Sequence, residues 1–353
     1  MVSNFSTGST RAVVALGGLL LGATSCLYSA PAFAQDAGEV TVYTVREKDL
    51  VEPLLRVFES LARVKLNIVY VTSDPIARLE ADSGKADLFI AAELSQLVDA
   101  KVKGLTAPAA DAAFAGQVPA AYKDADGHWF ALTSRLRIVA AARDRVAQKE
   151  FTYEELATPK WKGKLCVRSG LHPYNVGLVA SVVAHKGAPA AEVWLKGVKA
   201  NLAFKPTGGD RDQVAFVAAG KCDVALVNTY YIGLLRGASG NAEQQKTGNA
   251  VNVIFPNATD RGAHVSVSGM ALMKGAKNAA AARLLMDFMT SEPAQYIYGH
   301  DNHEYPIRAE VKPSGLVESW GKPKLDELPL EAIIKHRAQA IELVKKVDFD
   351  NVP

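Results

Sequence analysis

The stretch Gly208–Leu234, GGDRDQVAFVAAGKCDVALVNTYYIGL, decides how the rest of the chain is interpreted. Its residues Gln213–Ala219 have the apolar spacing of an amphipathic helix, and a glycine separates them from a short apolar strand, Asp223–Val227. The chain then turns and presents two adjacent phenols, Tyr230 and Tyr231. Ligands bind beyond the carboxyl ends of strands in open parallel sheets, so this position favours a binding site. Packing of one phenol into the core is the alternative interpretation.

The N-terminal residues have the features of a secretory leader. Arg11 precedes the apolar run Ala12–Leu21, and Ala32-Phe33-Ala34 is a small-x-small cleavage signal. We therefore expect residues 1–34 to be removed and the mature protein to be soluble outside the cytoplasm. Cleavage before Cys26, which would produce a lipoprotein, is the alternative.

Length and charge limit the classes of function. A chain of 353 residues is long enough for two lobes. A formal net charge of +3 is too small for a nucleic-acid binder, and after the leader no apolar run is long enough to span a bilayer. Cys166 and Cys222 remain in an oxidising compartment, where a disulfide between them or two buried thiols are both possible.

Strands and helices alternate along the chain. Val40–Thr44, Lys65–Val71 and Ala86–Ala91 are predicted strands separated by helices, which indicates a parallel α/β sheet. A second αβ series follows, and two strands, at 129–132 and 136–141, are predicted to lead out of the first lobe. Because the chain crosses more than once, a hinge is expected between lobe 1 (38–136 and 262–315) and lobe 2 (137–261 and 316–353).

Common catalytic motifs are absent from the sequence. It contains no HExxH, no P-loop, and no GxSxG in a strand–turn–helix context. His300 and His303 stand close together in a polar stretch that is typical of a solvated loop. The absence of these motifs favours a protein that is not an enzyme, with a hydrolase or transferase as the alternative.

The phenols are the remaining candidates for a site. Tyr174 follows the strand that contains Cys166, as Tyr230 and Tyr231 follow the strand after Cys222. If these two strands are neighbours, three phenols meet at one end of the sheet. A phenol titrates near pH 10, so a highly charged, hard cation is needed to remove its proton at neutral pH. Zn²⁺ or Ca²⁺ would more naturally use imidazole, thiolate or carboxylate, and ferric iron fits phenolates best.

Four segments resemble the ferric-iron-binding proteins that serve bacterial iron ABC importers. These are WKGKLCVRSGLHPYN (161–175), KPTGGDRDQVAFVAAGKCDVALVNTYY (205–231), RGAHVSVSG (261–269) and EYPIRAEVKPSGLVESWG (304–321). The resemblance implies a two-lobed α/β periplasmic binding protein, a monomer that closes over Fe³⁺ and delivers it to an inner-membrane permease. It also implies that phenolates at Tyr174, Tyr230 and Tyr231 hold the metal.

The first lobe departs from the family pattern. Relatives often carry a His-Tyr or Gln-Pro pair after an arginine in the first loop, whereas Arg46 is followed here by Glu47-Lys48. Glu47 could be a fourth, anionic ligand, with Lys48 or Arg46 balancing its charge. Alternatively Glu47 is solvated, and Arg46, Lys48 and Arg135 hold an anion such as carbonate or citrate that completes the metal shell. The same scaffold could also bind an anion or a ferric chelate as its cargo.

Overall fold

The computed structural model describes residues 38–352. The predicted leader, residues 1–34, and the alternative cleavage site at Cys26 lie outside this part of the chain. Within residues 38–352, no helix is both long and apolar enough to cross a membrane.

The first part of the chain is the predicted βαβαβ unit. Its elements are β1 (Glu39–Thr44), α1 (Lys48–Ala62), β2 (Lys65–Tyr70), α2 (Pro75–Ala81), β3 (Leu88–Ala91) and α3 (Leu94–Val102). β1 lies between β2 and β3 and is parallel to both. The carboxyl ends of all three strands therefore meet at one edge of the sheet, and the loops that follow them lie side by side.

The long strand β4 (Phe130–Ala142) joins the two parts of the sheet. The sequence predicted two strands here, but the structure has one strand of 13 residues, all of them buried. Arg135 lies between the two predicted strands, and Arg137 lies within the second one. Both side chains are nevertheless buried, because each is paired with a carboxylate from a distant element, Glu93 or Asp210.

The second part of the chain repeats the alternation of strands and helices. Its elements are β5 (Leu165–Cys166), α4 (Pro173–Lys186), α5 (Ala188–Ala200), α6 (Asp210–Ala218), β6 (Val224–Asn228), α7 (Thr229–Arg236), α8 (Ala242–Asn249) and β7 (Val251–Ile254). β5 and β6 are parallel neighbours, and β4 is antiparallel to both β6 and β7. The predicted turn after β6 is instead the first turn of α7.

The chain returns to the first part of the sheet before it ends. The last elements are β8 (Val265–Leu272), α9 (Ala279–Thr290), α10 (Glu292–Asp301), β9 (Tyr305–Pro306), α11 (Gly315–Glu318), α12 (Leu330–Ile334) and α13 (Arg337–Lys346). β8 lies between β3 and β4, so the strand order is β2-β1-β3-β8-β4-β6-β5, with β7 and β9 also paired to β4. His300 lies in α10, where the sequence predicted a loop; Ser291 caps this helix through its hydroxyl group.

Cys166 and Cys222 form a disulfide in the structure, with their Cα atoms 6.0 Å apart. Cys166 ends β5, and Cys222 lies two residues before β6 begins. The bridge therefore ties together two neighbouring strands that share only two paired residues on each side.

Candidate metal centre

Three phenols meet at one edge of the sheet, beyond the parallel strands β5 and β6. Tyr174 is the second residue of α4, and Tyr230 and Tyr231 are the second and third residues of α7. The hydroxyl oxygens of Tyr174 and Tyr230 lie 3.2 Å apart, and the ring centroids of Tyr230 and Tyr231 lie 4.1 Å apart. The structure therefore brings together all three phenols that the sequence singled out.

All three phenol side chains are buried, which affects their ionisation. Burial raises the pKa of Tyr230 well above 10, and the neighbouring phenols Tyr174 and Tyr231 raise it further. Burial likewise raises the pKa of Tyr231, followed by the charges of Tyr174, Asp210 and Glu47. Without a bound cation, Tyr230 and Tyr231 are therefore protonated at neutral pH, and a metal must displace their protons to bind.

His172 lies beside the phenols as the N-cap residue of α4. Its Nδ1 atom accepts a hydrogen bond from the backbone N–H of Tyr174, and its ring packs edge-on against the Tyr174 ring at 4.6 Å. Burial lowers the pKa of His172 to about 3, and the nearby charge of Arg168 contributes to this shift. The imidazole is therefore neutral at neutral pH and can remain an acceptor at the start of the helix.

Glu47 contacts the phenols from the loop after β1. Glu47 holds the N-cap position of α1, and its side chain makes no capping hydrogen bond. Its carboxylate instead accepts a hydrogen bond from the hydroxyl of Tyr231, at 3.2 Å. The position of Glu47 is thus compatible with the fourth ligand that the sequence suggested.

Arg211 is a site residue that sequence reasoning missed. Its Nη1 atom lies 3.0 Å from the second carboxylate oxygen of Glu47, and its guanidinium group lies 5.0 Å from the centre of the Tyr231 ring. It follows Asp210 in the first turn of α6, at the same edge of the sheet as the phenols. Its position at the start of a helix near the phenols is the feature of the sequence that could have indicated a role in the site. Its partner Glu47 could not, because it is 164 residues away in the sequence.

The other two candidates of the first loop have different surroundings. Arg46 is buried, and its Nη2 atom lies 2.7 Å from Glu304. The side chain of Lys48 is 67% exposed, and its amino group lies 3.5 Å from Glu52 on the surface of α1. In this structure Glu47 is therefore balanced by Arg211 rather than by Arg46 or Lys48.

Arg135 brings a buried positive charge to the site from β4. Its guanidinium group lies 5.5 Å from the centre of the Tyr174 ring, and Arg168 lies near the same ring, at 5.4 Å. The Nη2 atom donates to the carbonyl of Ala92 and lies 3.3 Å from Glu93. The Nε and Nη1 atoms of Arg135 are buried and have no hydrogen-bond partner among the described residues. These two nitrogen atoms are therefore donors that no described residue uses.

The phenols and Glu47 line a cleft with a volume of about 680 Å³. Loops that follow β1, β2 and β3 form one wall, at 44–50, 71–75 and 92–96, and segments that follow β5 and β6 form the other. No group of three or more His, Cys, Asp or Glu residues that could hold a metal occurs within residues 38–352. The donor set of this cleft is therefore phenolic and carboxylic oxygen, which suits a hard cation.

The chain is similar in sequence and in structure to known proteins. The family model for bacterial extracellular solute-binding proteins matches residues 45–296. Iron uptake protein A1 of Synechocystis is 33% identical over 98% of this chain and 97% of its own length. Among solved structures, the Bordetella ferric binding protein is 43% identical, covers 89% of this chain and all of its own, and gives a TM-score of 0.79.

A Trichodesmium protein solved in complex with iron and citrate is also similar. It is 32% identical, covers 88% of this chain and all of its own, and gives a TM-score of 0.81. These similarities confirm the predicted fold class, a two-lobed α/β fold of the periplasmic-binding-protein type.

Proposed function

The chain belongs to the bacterial extracellular solute-binding proteins, and we propose that this member captures ferric iron as the binding component of an ABC importer. Relatives named for iron uptake and for ferric binding support iron as the cargo, and they do not favour the alternative of an anion alone. Function as a binding protein, without turnover, accords with the family.

The meeting of three phenol side chains in one cleft is the observation that carries the proposal. Metal–oxygen bonds of about 2.0–2.2 Å place neighbouring oxygens of one coordination shell about 3 Å apart. The 3.2 Å between the hydroxyl oxygens of Tyr174 and Tyr230 fits this spacing. We assign Tyr174, Tyr230 and Tyr231 as phenolate ligands, whose three negative charges neutralise Fe³⁺.

We propose Glu47 as a fourth ligand, contributed by the opposite wall of the cleft. Its carboxylate already hydrogen-bonds the hydroxyl of Tyr231, so a metal bound by that phenolate lies close to it. A fourth anion gives the complex a net negative charge, and the guanidinium of Arg211, 3.0 Å from Glu47, balances that charge. Arg211 thus takes the balancing role that the sequence assigned to Lys48 or Arg46.

We further propose that Arg135 binds a small oxyanion that completes the metal shell. Its guanidinium group lies beside Tyr174, and its buried Nε and Nη1 atoms have no partner among the described residues, so each of them can donate a hydrogen bond to an oxygen of carbonate or of citrate. The neighbouring cleft, whose lining does not include Arg135, has room for either anion. Arg46 contributes less to this role, because Glu304 already occupies part of its guanidinium group.

Delivery of the iron follows from the family. We propose that residues 1–34 direct export and are removed, that the mature chain works in the periplasm as a monomer, and that an inner-membrane ABC permease receives the iron. Movement of the two lobes about a hinge, with the lobe limits predicted above, would open and close the cleft.

An absorption titration tests the proposed function. Metal-free mature protein is titrated with a ferric chelate, and we expect a visible phenolate-to-iron charge-transfer band that saturates at one iron per chain. The band should vanish in Tyr230→Phe/Tyr231→Phe. Tyr305→Phe is the matched control, because the buried Tyr305 hydroxyl has no partner among the described residues and lines a different cavity. Absence of a band in the wild type at every ratio would overturn the proposal.

A further inference from the structure

A buried ion pair contacts the beginnings of both helices that carry the phenols. Nη1 of Arg137, in β4, lies 2.6 Å from the carboxylate of Asp210, the first residue of α6. The two side chains are 1% and 0% exposed. Neither belongs to the proposed ligand set. Desolvation can offset the attraction within a buried pair, so its presence is weak evidence for a role in stability alone.

One branch of hydrogen bonds runs from this pair to the start of α4. Nη2 of Arg137 donates to the side-chain oxygen of Asn175, at 2.8 Å. The amide nitrogen of Asn175 donates in turn to the carbonyls of Arg168 and Ser169, at 2.9 and 3.0 Å. Asn175 directly follows Tyr174 in the chain. The ion pair therefore fixes the residue next to the first phenol and the loop that leads to it.

A second branch runs to the start of α7. The backbone N–H of Asn228 donates to the Asp210 carboxylate at 2.8 Å, and Nη1 of Arg137 donates to the Asn228 side-chain oxygen at 3.2 Å. Asn228 ends β6, two residues before Tyr230. The same ion pair thus holds the chain on the N-terminal side of the other two phenols.

We propose that Arg137 and Asp210 are positioning residues, which set the spacing between the phenol of Tyr174 and those of Tyr230 and Tyr231. The two helices that carry the phenols begin at separate strands, and this pair bonds directly to both beginnings. The planar guanidinium group fixes the directions of its hydrogen bonds, so both branches keep one relative geometry. The inference rests on the proposed ferric function and adds the residues that organise its site.

Asp210→Asn tests the inference, because it removes the charge with almost no change in shape. We expect this variant to bind ferric iron at least tenfold more weakly in competition with citrate. At saturating iron, its charge-transfer band should differ from the wild-type band in position or intensity, because the phenolates meet the ion in a changed geometry. Circular dichroism verifies that the variant is folded.

Asp326→Asn is the matched control. The side chain of Asp326 is 1% exposed and lies 3.6 Å from Arg261 and 3.0 Å from His185, in the wall of a different cavity. The Asp326→Asn variant should be less stable than the wild type but keep the wild-type absorption band and ferric affinity. If Asp210→Asn does not fold, Asn175→Ala removes the branch to α4 alone and should shift the band.

Three results would overturn the inference. The first is that Asp210→Asn has the absorption band and the ferric affinity of the wild type. If Asp210→Asn does not fold, the same result in Asn175→Ala counts instead. The second is an equal spectral change in Asp210→Asn and Asp326→Asn, which would indicate a general effect of disturbing a buried carboxylate. The third is a wild-type protein without a band, which refutes the proposed function itself and is recognised before any variant is compared.

Discussion

The carboxylate of Glu47 lies 3.0 Å from the guanidinium of Arg211, although 164 residues separate them in the chain. Glu47 belongs to the loop after β1, and Arg211 belongs to the first turn of α6. The pair therefore connects the two walls of the cleft, one built on β1 to β3 and the other on β5 and β6. Because Tyr231 hydrogen-bonds the same carboxylate, the connection lies directly at the phenols.

Substitution of Glu47 tests whether this residue is a metal ligand. Glu47→Ala should lower the ferric affinity more than tenfold and change the charge-transfer band, because one anion leaves the shell. Arg211→Ala removes a charge-balancing group next to the ligands. We expect it to lower the ferric affinity about 10- to 100-fold, as substitution of residues that contact metal ligands does in other proteins. Citrate competition and absorption spectra measure both effects.

The neighbouring Lys48→Ala is the control for both variants. Lys48 is exposed and paired with Glu52 on the surface of α1, so its removal should leave affinity and colour unchanged. Wild-type affinity and colour in Glu47→Ala would eliminate Glu47 as a ligand and leave the oxyanion at Arg135 as the group that completes the shell.

Ferric binding should weaken as the pH falls. Burial, followed by the charge of Tyr174, raises the pKa values of Tyr230 and Tyr231 above 10, so both phenols are protonated at and below neutral pH. Iron must displace these protons, and lower pH increases their competition with the metal. Each displaced proton contributes about a tenfold loss of affinity per pH unit, so the protons of Tyr230 and Tyr231 alone account for about a 100-fold loss.

Competition with a chelator over a pH series, corrected for protonation of the chelator, measures this slope. Tyr231→Phe should reduce the slope by about one proton, because one displaced proton is lost with the hydroxyl group. An affinity independent of pH would contradict phenolate ligation. Direct measurement of protons released per iron in unbuffered solution provides a second readout.

Part of this architecture could be predicted from the sequence, because its signals are local. β1, β2 and β3 are apolar runs separated by amphipathic helices, and the predicted limits differ from the observed ones by no more than two residues. The phenols of Tyr230 and Tyr231 follow a clear strand, so their position at a sheet edge was predicted. Tyr174 meets Tyr230 and Tyr231 only because β5 and β6 are neighbours in the sheet. The periodicity of a sequence does not show which strands are neighbours.

The remaining features depend on partners that are distant in the chain. The sequence predicts two strands in place of β4, with Arg135 in the gap between them and Arg137 inside the second. The structure buries both through Glu93 and Asp210, which lie 42 and 73 residues away. Arg211 was missed for the same reason, since only the folded chain brings it to Glu47. Charged residues within apolar stretches therefore indicated the site, but the sequence did not show which of these residues form ion pairs.

Removal of the disulfide should destabilise the metal-free protein. Cys166 and Cys222 are 56 residues apart, and closing a loop of this length contributes about 4 kcal/mol in the chain-entropy model. We expect Cys166→Ser/Cys222→Ser to lower the free energy of unfolding by about 2–4 kcal/mol in denaturant titrations. Metal-free protein is required, because a reductant would also reduce ferric iron.

Addition of dithiothreitol to the wild type should reproduce this loss and leave the double serine variant unaffected. Equal stability of the oxidised wild type and the variant would show that the bridge does not contribute to folding. A ferric affinity close to that of the wild type is expected if the variant remains folded, because the hydrogen bonds of Arg137 and Asp210 still hold the two helices that carry the phenols.

Gly233 should tolerate no side chain, because α7 packs against His303 at this point. A Cβ atom at Gly233 would overlap the His303 side chain, whose Cγ atom would lie only 2.6 Å away. His303 cannot easily move, since its backbone is left-handed, with φ of 56°, and its Nδ1 atom is 3.0 Å from the Ser314 hydroxyl. Gly233→Ala should therefore displace α7, reducing stability by about 1–3 kcal/mol and weakening ferric binding at Tyr230, three residues earlier.

Gly315→Ala is the control, because no heavy atom of the described chain lies within 4 Å of the added methyl group. His303→Gly in the Gly233→Ala background should restore both properties, since it removes the overlap and glycine adopts positive φ readily. Wild-type unfolding and iron affinity in Gly233→Ala would contradict this packing, and failure of the second substitution to restore them would locate the cause elsewhere in α7.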